Sequence, residues 1–107
     1  MKMILAIINQ DDANAVINAL VQEGFMLTKL ATTGGILRAG NVTILLGVDD
    51  EKVPKAMNII NKQSHSRRQV IPTASELGMG YYPSMPVEVP VGGATVFVLN
   101  VDEFHKL

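Results

Sequence analysis

The run Met3-Ile4-Leu5-Ala6-Ile7-Ile8, followed at once by Asn9-Gln10-Asp11-Asp12, sets the reading of this chain. An unbroken apolar run of that length, rich in isoleucine and bounded by polar residues, fits a buried strand better than a helix. Asp11 and Asp12 are candidates to cap a following helix, because a short side-chain oxygen can accept from its first free N–H groups. Beyond them Ala13, Val16, Ile17, Leu20 and Val21 recur at helical spacing and make one apolar stripe. Gly24 supplies the stop, since glycine takes the left-handed conformation that ends a helix at no steric cost.

Working outward, Met26 to Thr32 and Val42 to Val48 read as two strands joined by a glycine-rich loop over 33–40, hence a hairpin. Asp49-Asp50-Glu51 opens a second helix with acidic residues at its positive end. Val53, Ala56, Met57 and Ile60 form its buried stripe, and Pro54 is tolerated in the first turn. From Ser64 to Pro90 periodicity is lost, and prolines 72, 83, 86 and 90 exclude a long helix, so about 64–92 reads as a long loop. Within it Val87-Glu88-Val89 reads as a short edge strand. Gly92-Gly93 then leads to a last strand, Ala94 to Val101, and Asp102 to Leu107 reads as one helical turn.

The resulting order, β-α-β-β-α-β, predicts an α+β, ferredoxin-like antiparallel sheet with two helices on one face, in a single domain over 1–107. One consequence concerns assembly. Met3–Ile8, Ile44–Leu46 and Val96–Leu99 are apolar at successive residues, as in strands buried on both faces. Two helices cover only one face, so the other is expected to pack against further copies of the chain.

Composition narrows the function. The chain has 107 residues, with 48% hydrophobic and 18% charged, so it folds as a globule rather than remaining disordered. A net charge of −1 gives no electrostatic footprint for nucleic acid. The absence of cysteine excludes disulfides, iron–sulfur clusters and thiol catalysis. No apolar run reaches membrane-spanning length and the first residues do not read as a signal peptide, which predicts a cytoplasmic protein.

The sequence is poor in catalytic constellations. His65 and His105 have no acidic residue at metal-ligand spacing and no nucleophile pair, and read as surface histidines. Asp49-Asp50-Glu51 is explained by helix capping more economically than by a cation. There is no Gly-Lys-Ser/Thr signature for nucleoside triphosphate hydrolysis. Arg67-Arg68 reads as a solvated pair, and Tyr81-Tyr82 as an exposed loop tip that could stack on a base. No catalytic residue, metal ligand or cofactor is therefore predicted.

The stretch Lys29-Leu30-Ala31-Thr32-Thr33-Gly34-Gly35-Ile36-Leu37-Arg38-Ala39-Gly40-Asn41 carries the remaining chemistry. Gly34, Gly35 and Gly40 allow close backbone approach, Lys29 and Arg38 can neutralise phosphate, and Asn41 can pair with an adenine edge through both amide atoms. Thr28, Thr32 and Thr33 add hydroxyls. On the residues alone this pattern fits both a cradle for a nucleotide-like anion and a plain hairpin loop.

The segments "TKLATTGGILRAGN", "TILLGV", "PVEVPVGGATVFVLNVDEFHKL" and the opening "MKMILAI" resemble the PII-like cyclic di-AMP receptor family of Gram-positive bacteria. The resemblance covers nearly the whole chain and is weakest over about 66–84. It implies a homotrimer of ferredoxin-like subunits that binds cyclic di-AMP in clefts between neighbours, without enzymatic activity. It also implies a long loop that rearranges on binding and signals to a protein partner. Carried over by position, it makes Thr28 and Asn41 polar contacts to a base, Gly35, Ile36 and Leu37 the phosphate and ribose cradle, and Gly47 a point of close approach. The family often carries arginine where this chain has Met26 and phenylalanine where it has Ile36, and the connection near Ser64–Ser84 is shorter here. These departures admit an alternative: an oligomeric interaction module whose nucleotide binding is weakened or lost.

Overall fold

The structure is a computed structural model that describes residues 1–30, 40–72 and 86–107. Its elements are β1 (Lys2–Asn9), α1 (Gln10–Gln22), β2 (Leu27–Leu30), β3 (Asn41–Val48), α2 (Val53–Ser64), β4 (Arg67–Pro72), β5 (Pro86–Val91) and β6 (Ala94–Asn100). A short 3-10 turn, Asp50–Lys52, precedes α2. Four strands form an antiparallel sheet ordered β2-β3-β1-β6. This is the split βαβ arrangement that the sequence predicts, with β1 and β3 central because they carry the longest apolar runs.

Strand register decides which residues the helices cover. Ile4 lies opposite Leu46, and Ala6 opposite Ile44. These residues, with Ile8, are fully or almost fully buried beneath Val16 and Leu20 of α1 and Ala56 and Ile60 of α2. The opposite parity of β1, Met3, Leu5 and Ile7, is only half-buried. The burial of β1 therefore alternates although its sequence does not, as expected for a sheet covered on one face. Val21, placed on the α1 stripe by spacing, is instead 55% exposed, because it sits at the margin of that stripe beyond the reach of the sheet.

The ends of α1 are held by specific bonds. Asn9, not Asp11 or Asp12, is the N-cap: its side-chain oxygen accepts from the Asp11 backbone N–H at 2.8 Å. At the other end Gly24 has φ +86, its N–H donates to Val21 O at 3.0 Å, and the Phe25 N–H donates to Leu20 O at 3.0 Å. That bond pair satisfies two terminal carbonyls, and Phe25 then turns into the core, where it is 8% exposed.

Two segments differ from expectation, although the short strand expected at Val87-Glu88-Val89 is present within β5. Within the long connection, β4 and β5 pair antiparallel as a separate two-stranded sheet, from Arg67 opposite Val91 to Pro72 opposite Pro86. The prolines sit at a strand end and on strands without outer neighbours, where a missing N–H is tolerated. The second segment, 102–107, forms no helical turn. An isolated turn has one hydrogen bond to offset the ordering of several residues.

The β4–β5 pair is tied to the main sheet at its base. Arg67 donates from Nη2 to Asp12 Oδ1 at 2.9 Å and from Nη1 to Asp12 Oδ2 at 3.2 Å, a two-pronged ion pair on a carboxylate that is largely buried. Arg67 Nη1 also reaches the His65 carbonyl at 3.4 Å. The hydrogen bond that Arg67 donates to Asp12 holds the guanidinium pKa above its ordinary value, so the guanidinium stays charged. Gly92, with φ +76, lies against it: a Cβ there would stand 2.5 Å from Arg67 Nη1 and 3.0 Å from Asp12 Oδ2. The Gly93 N–H closes the corner by donating to the Ser64 carbonyl. Arg67 is thus a clamp rather than one half of a solvated pair. Asp12→Ala is expected to accelerate amide hydrogen exchange across β4 and β5 while leaving β1 and β3 protected. Uniform acceleration in all four strands would show that the clamp supports the whole fold instead.

Candidate functional site

The uncovered face of the sheet carries the candidate site. Register places Thr28 opposite Leu45, Leu30 opposite Thr43, and Gly47 opposite Met3, all with the same parity. On the other flank of β1, Phe97 lies opposite Leu5 and Leu99 opposite Met3. Phe97 is 52% and Leu99 43% exposed, so this flank presents a contiguous apolar surface.

A groove of about 750 Å³ runs along this face, with Met3, Met26, Thr28 and Gly47 on the sheet side and Phe104, His105 and Lys106 on the far wall. Its volume is in the range that accommodates small-molecule ligands. Gly47 is exposed in mid-strand, and a Cβ there would meet only the flexible end of Met1, at 3.2 Å. The fold of one chain therefore does not require glycine at 47. A mid-strand glycine lacking an internal reason fits close approach by another molecule.

The structure brings Thr28 and Gly47 together in this groove, but not Asn41. Asn41 lies at the opposite end of β3, opposite Asn9. A strand advances by about 3.4 Å per residue, which separates Asn41 from Gly47 by about 20 Å along one face. Asn41 instead borders a smaller hollow of about 340 Å³ with Asn9, Gly92, Gly93 and Thr95, beside the Arg67 clamp. Gly35, Ile36 and Leu37 lie outside the described residues, as do Thr32, Thr33, Gly34, Arg38, Tyr81 and Tyr82.

The segment after β6 is what sequence reasoning missed. Phe104, 64% exposed, lines the groove with His105 and Lys106, although their sequence distance from the glycine-rich stretch gives no hint of it. The only sequence signal is an aromatic residue set among charges just beyond a sheet-forming strand.

The acidic cluster also has a different role from the one its position suggests. No side chain from Asp49 caps the 3-10 turn. Asp50 pairs instead with the Met1 α-amino group at 2.9 Å, and that hydrogen bond holds the Asp50 carboxyl below its ordinary pKa. A depressed carboxylate contributes stability above its unfolded-state pKa, and the contribution is lost as pH falls through the folded-state value. Asp50→Asn should therefore narrow the difference in denaturation midpoint between neutral and acid pH. An unchanged difference would show that the pair contributes nothing.

His65 Nδ1 stands 3.4 Å from the Lys62 carbonyl, and His105 Nε2 stands 3.7 Å from Glu103 Oε1; both rings are at the surface. Among the described residues, no three His, Asp or Glu side chains cluster as metal ligands do. No described helix is long and apolar enough to cross a membrane.

These features define a small α+β protein of the split βαβ class, with helices on one sheet face and a ligand-sized groove on the other. Over residues 1–107 the sequence matches the family described as cyclic-di-AMP receptor, and the chain belongs to that family. It is also similar to a solved structure, a functionally unknown protein from Pediococcus pentosaceus ATCC 25745. The two share 39% identity and a TM-score of 0.76, over 99% of this chain and 96% of that one.

Proposed function

We propose that this protein is a non-enzymatic receptor that senses cyclic di-AMP, or a related adenine nucleotide, and acts in the cytoplasm on a protein partner. The observation that carries this reading is that Thr28 and Gly47 line one groove on the uncovered face of a chain that belongs to the cyclic-di-AMP receptor family. Thr28 offers a hydroxyl to a base, and bare backbone at Gly47 lets a flat ring approach. Gly35, Ile36 and Leu37 would contribute the cradle for ribose and phosphate.

The 20 Å separation of Asn41 from Gly47 supports a pocket shared between subunits, with Asn41 contacting the ligand from a different end of the sheet than Thr28. The exposed Phe97 and Leu99 support the same assembly, a homotrimer, because a contiguous apolar face gains from burial at about 25 cal/mol per Å². Light scattering at micromolar concentration should give a trimer. Phe97→Glu, a charge placed on that face, should shift it to monomer with unchanged far-UV circular dichroism. A monomeric wild-type chain would remove the shared pocket.

The position of Asn41 also supports a relay. Its hollow borders Gly92 and Gly93, the corner from which the β4–β5 pair is held. Occupancy at Asn41 is thus one residue layer from the Arg67–Asp12 clamp, and the 64–92 connection is the element we assign to signalling.

Isothermal titration with cyclic di-AMP, ATP and AMP tests the reading. Cyclic di-AMP should bind. Thr28→Ala should weaken binding about 2- to 12-fold, the worth of one net hydrogen bond of about 0.5–1.5 kcal/mol. Asn41→Ala should weaken it more, since a bidentate amide contact to an adenine edge carries about 1–3 kcal/mol. Absence of heat with all three nucleotides on folded protein would overturn the reading in favour of an interaction module that binds no nucleotide.

A further inference from the structure

The sheet side of the groove is chemically one-sided. Met3, Met26, Leu27 and Leu45 offer methyl groups and sulfur, Thr28 a single hydroxyl, and Gly47 bare backbone. The Met1 ammonium is already held by Asp50. A ligand built from phosphodiesters and purines needs cations and a flat apolar surface, and neither Lys2 of β1 nor Lys29 of β2 is among the residues that line the groove. Among the described residues, the one lysine or arginine side chain lining the groove, Lys106, comes from the segment after β6, next to the imidazole of His105.

The members of that segment differ in availability. His105 faces Glu103 at 3.7 Å, so its charge, when present, is partly answered. Lys106 makes no ion pair with any described residue. Phe104 lines the same groove at 64% exposure, an unusual position for an aromatic ring. Glu103 also borders the groove and opposes an anion there.

We propose that segment 102–107 is the recognition wall of this groove, with Lys106 neutralising a ligand phosphate and Phe104 stacking on a base. The inference rests on the nucleotide-binding reading and deepens it: phosphate affinity is set by the segment after β6 and not by the strand residue Met26. Glu103 is then a brake on affinity, because its carboxylate lies on the same wall as the phosphate contact.

The test is isothermal titration of the full chain with cyclic di-AMP at two salt concentrations, comparing wild type with Lys106→Gln, Phe104→Ala and Glu103→Gln. These side chains are exposed, so circular dichroism of the variants should match wild type. Lys106→Gln should weaken binding roughly ten-fold or more, as expected for loss of a charge-assisted contact, and should reduce the dependence on salt. Phe104→Ala should weaken it at least about five-fold, the lower end for loss of a base–aromatic stack. Glu103→Gln should tighten it. Wild-type binding with all three variants unchanged would overturn the recognition wall while leaving the receptor reading intact. No binding by wild type would overturn both.

Discussion

The rest of the structure depends on one asymmetry: the β2-β3-β1-β6 sheet is apolar on both faces, and its two helices cover one. On the covered face, Ile4, Ala6 and Ile8 interlock with Ile44 and Leu46 and are sealed by Val16, Leu20, Ala56 and Ile60. That packing is enough to define the core of a small protein. On the other face, Leu5, Phe97 and Leu99 remain in contact with water within one chain, a cost that persists unless something covers them. Thr28 and Gly47 sit on that same face. In the reading proposed above, assembly and ligand binding are therefore two uses of one uncovered surface.

The second organising element is the clamp between Asp12 and Arg67. It joins the start of α1 to the start of β4, residues 55 positions apart in the chain. Gly92 is accommodated only because it lacks a side chain at that point. The corner brings three otherwise independent parts together: the cap of the first helix, the base of the β4–β5 pair, and the hollow that contains Asn41. A change at any one of them has a short mechanical path to the others.

The sheet and both helices were readable in the sequence because each signal was local. The Met3–Ile8 run, the α1 stripe and Gly24 are all interpretable within a few residues. The β4–β5 pairing was not, since its prolines and short apolar stretches carry little periodicity and its register joins Arg67 to Val91 across the chain. The N-cap was misassigned by two or three residues because Asn9 ends β1 and caps α1 at once, a double role that propensity does not reveal. Arg67 looked solvated because its partner, Asp12, is distant in sequence. For the site, Thr28 and Gly47 were identified through resemblance and the fold places them together. His105 was read only as a surface histidine, and Phe104 and Lys106 drew no site reading, because nothing local indicates that the chain passes back beside β2 and β3 after β6.

The central claim is that the uncovered face is closed by further copies of the chain around a nucleotide held at Thr28 and Gly47. The most direct measurement is a crystal structure grown with cyclic di-AMP. The account predicts ligand density against Thr28 and Gly47, bounded on its far side by a neighbouring subunit, with Phe97 and Leu99 buried in the assembly. Nucleotide density away from this face, or a bound chain whose Phe97 and Leu99 remain in solvent, would contradict it.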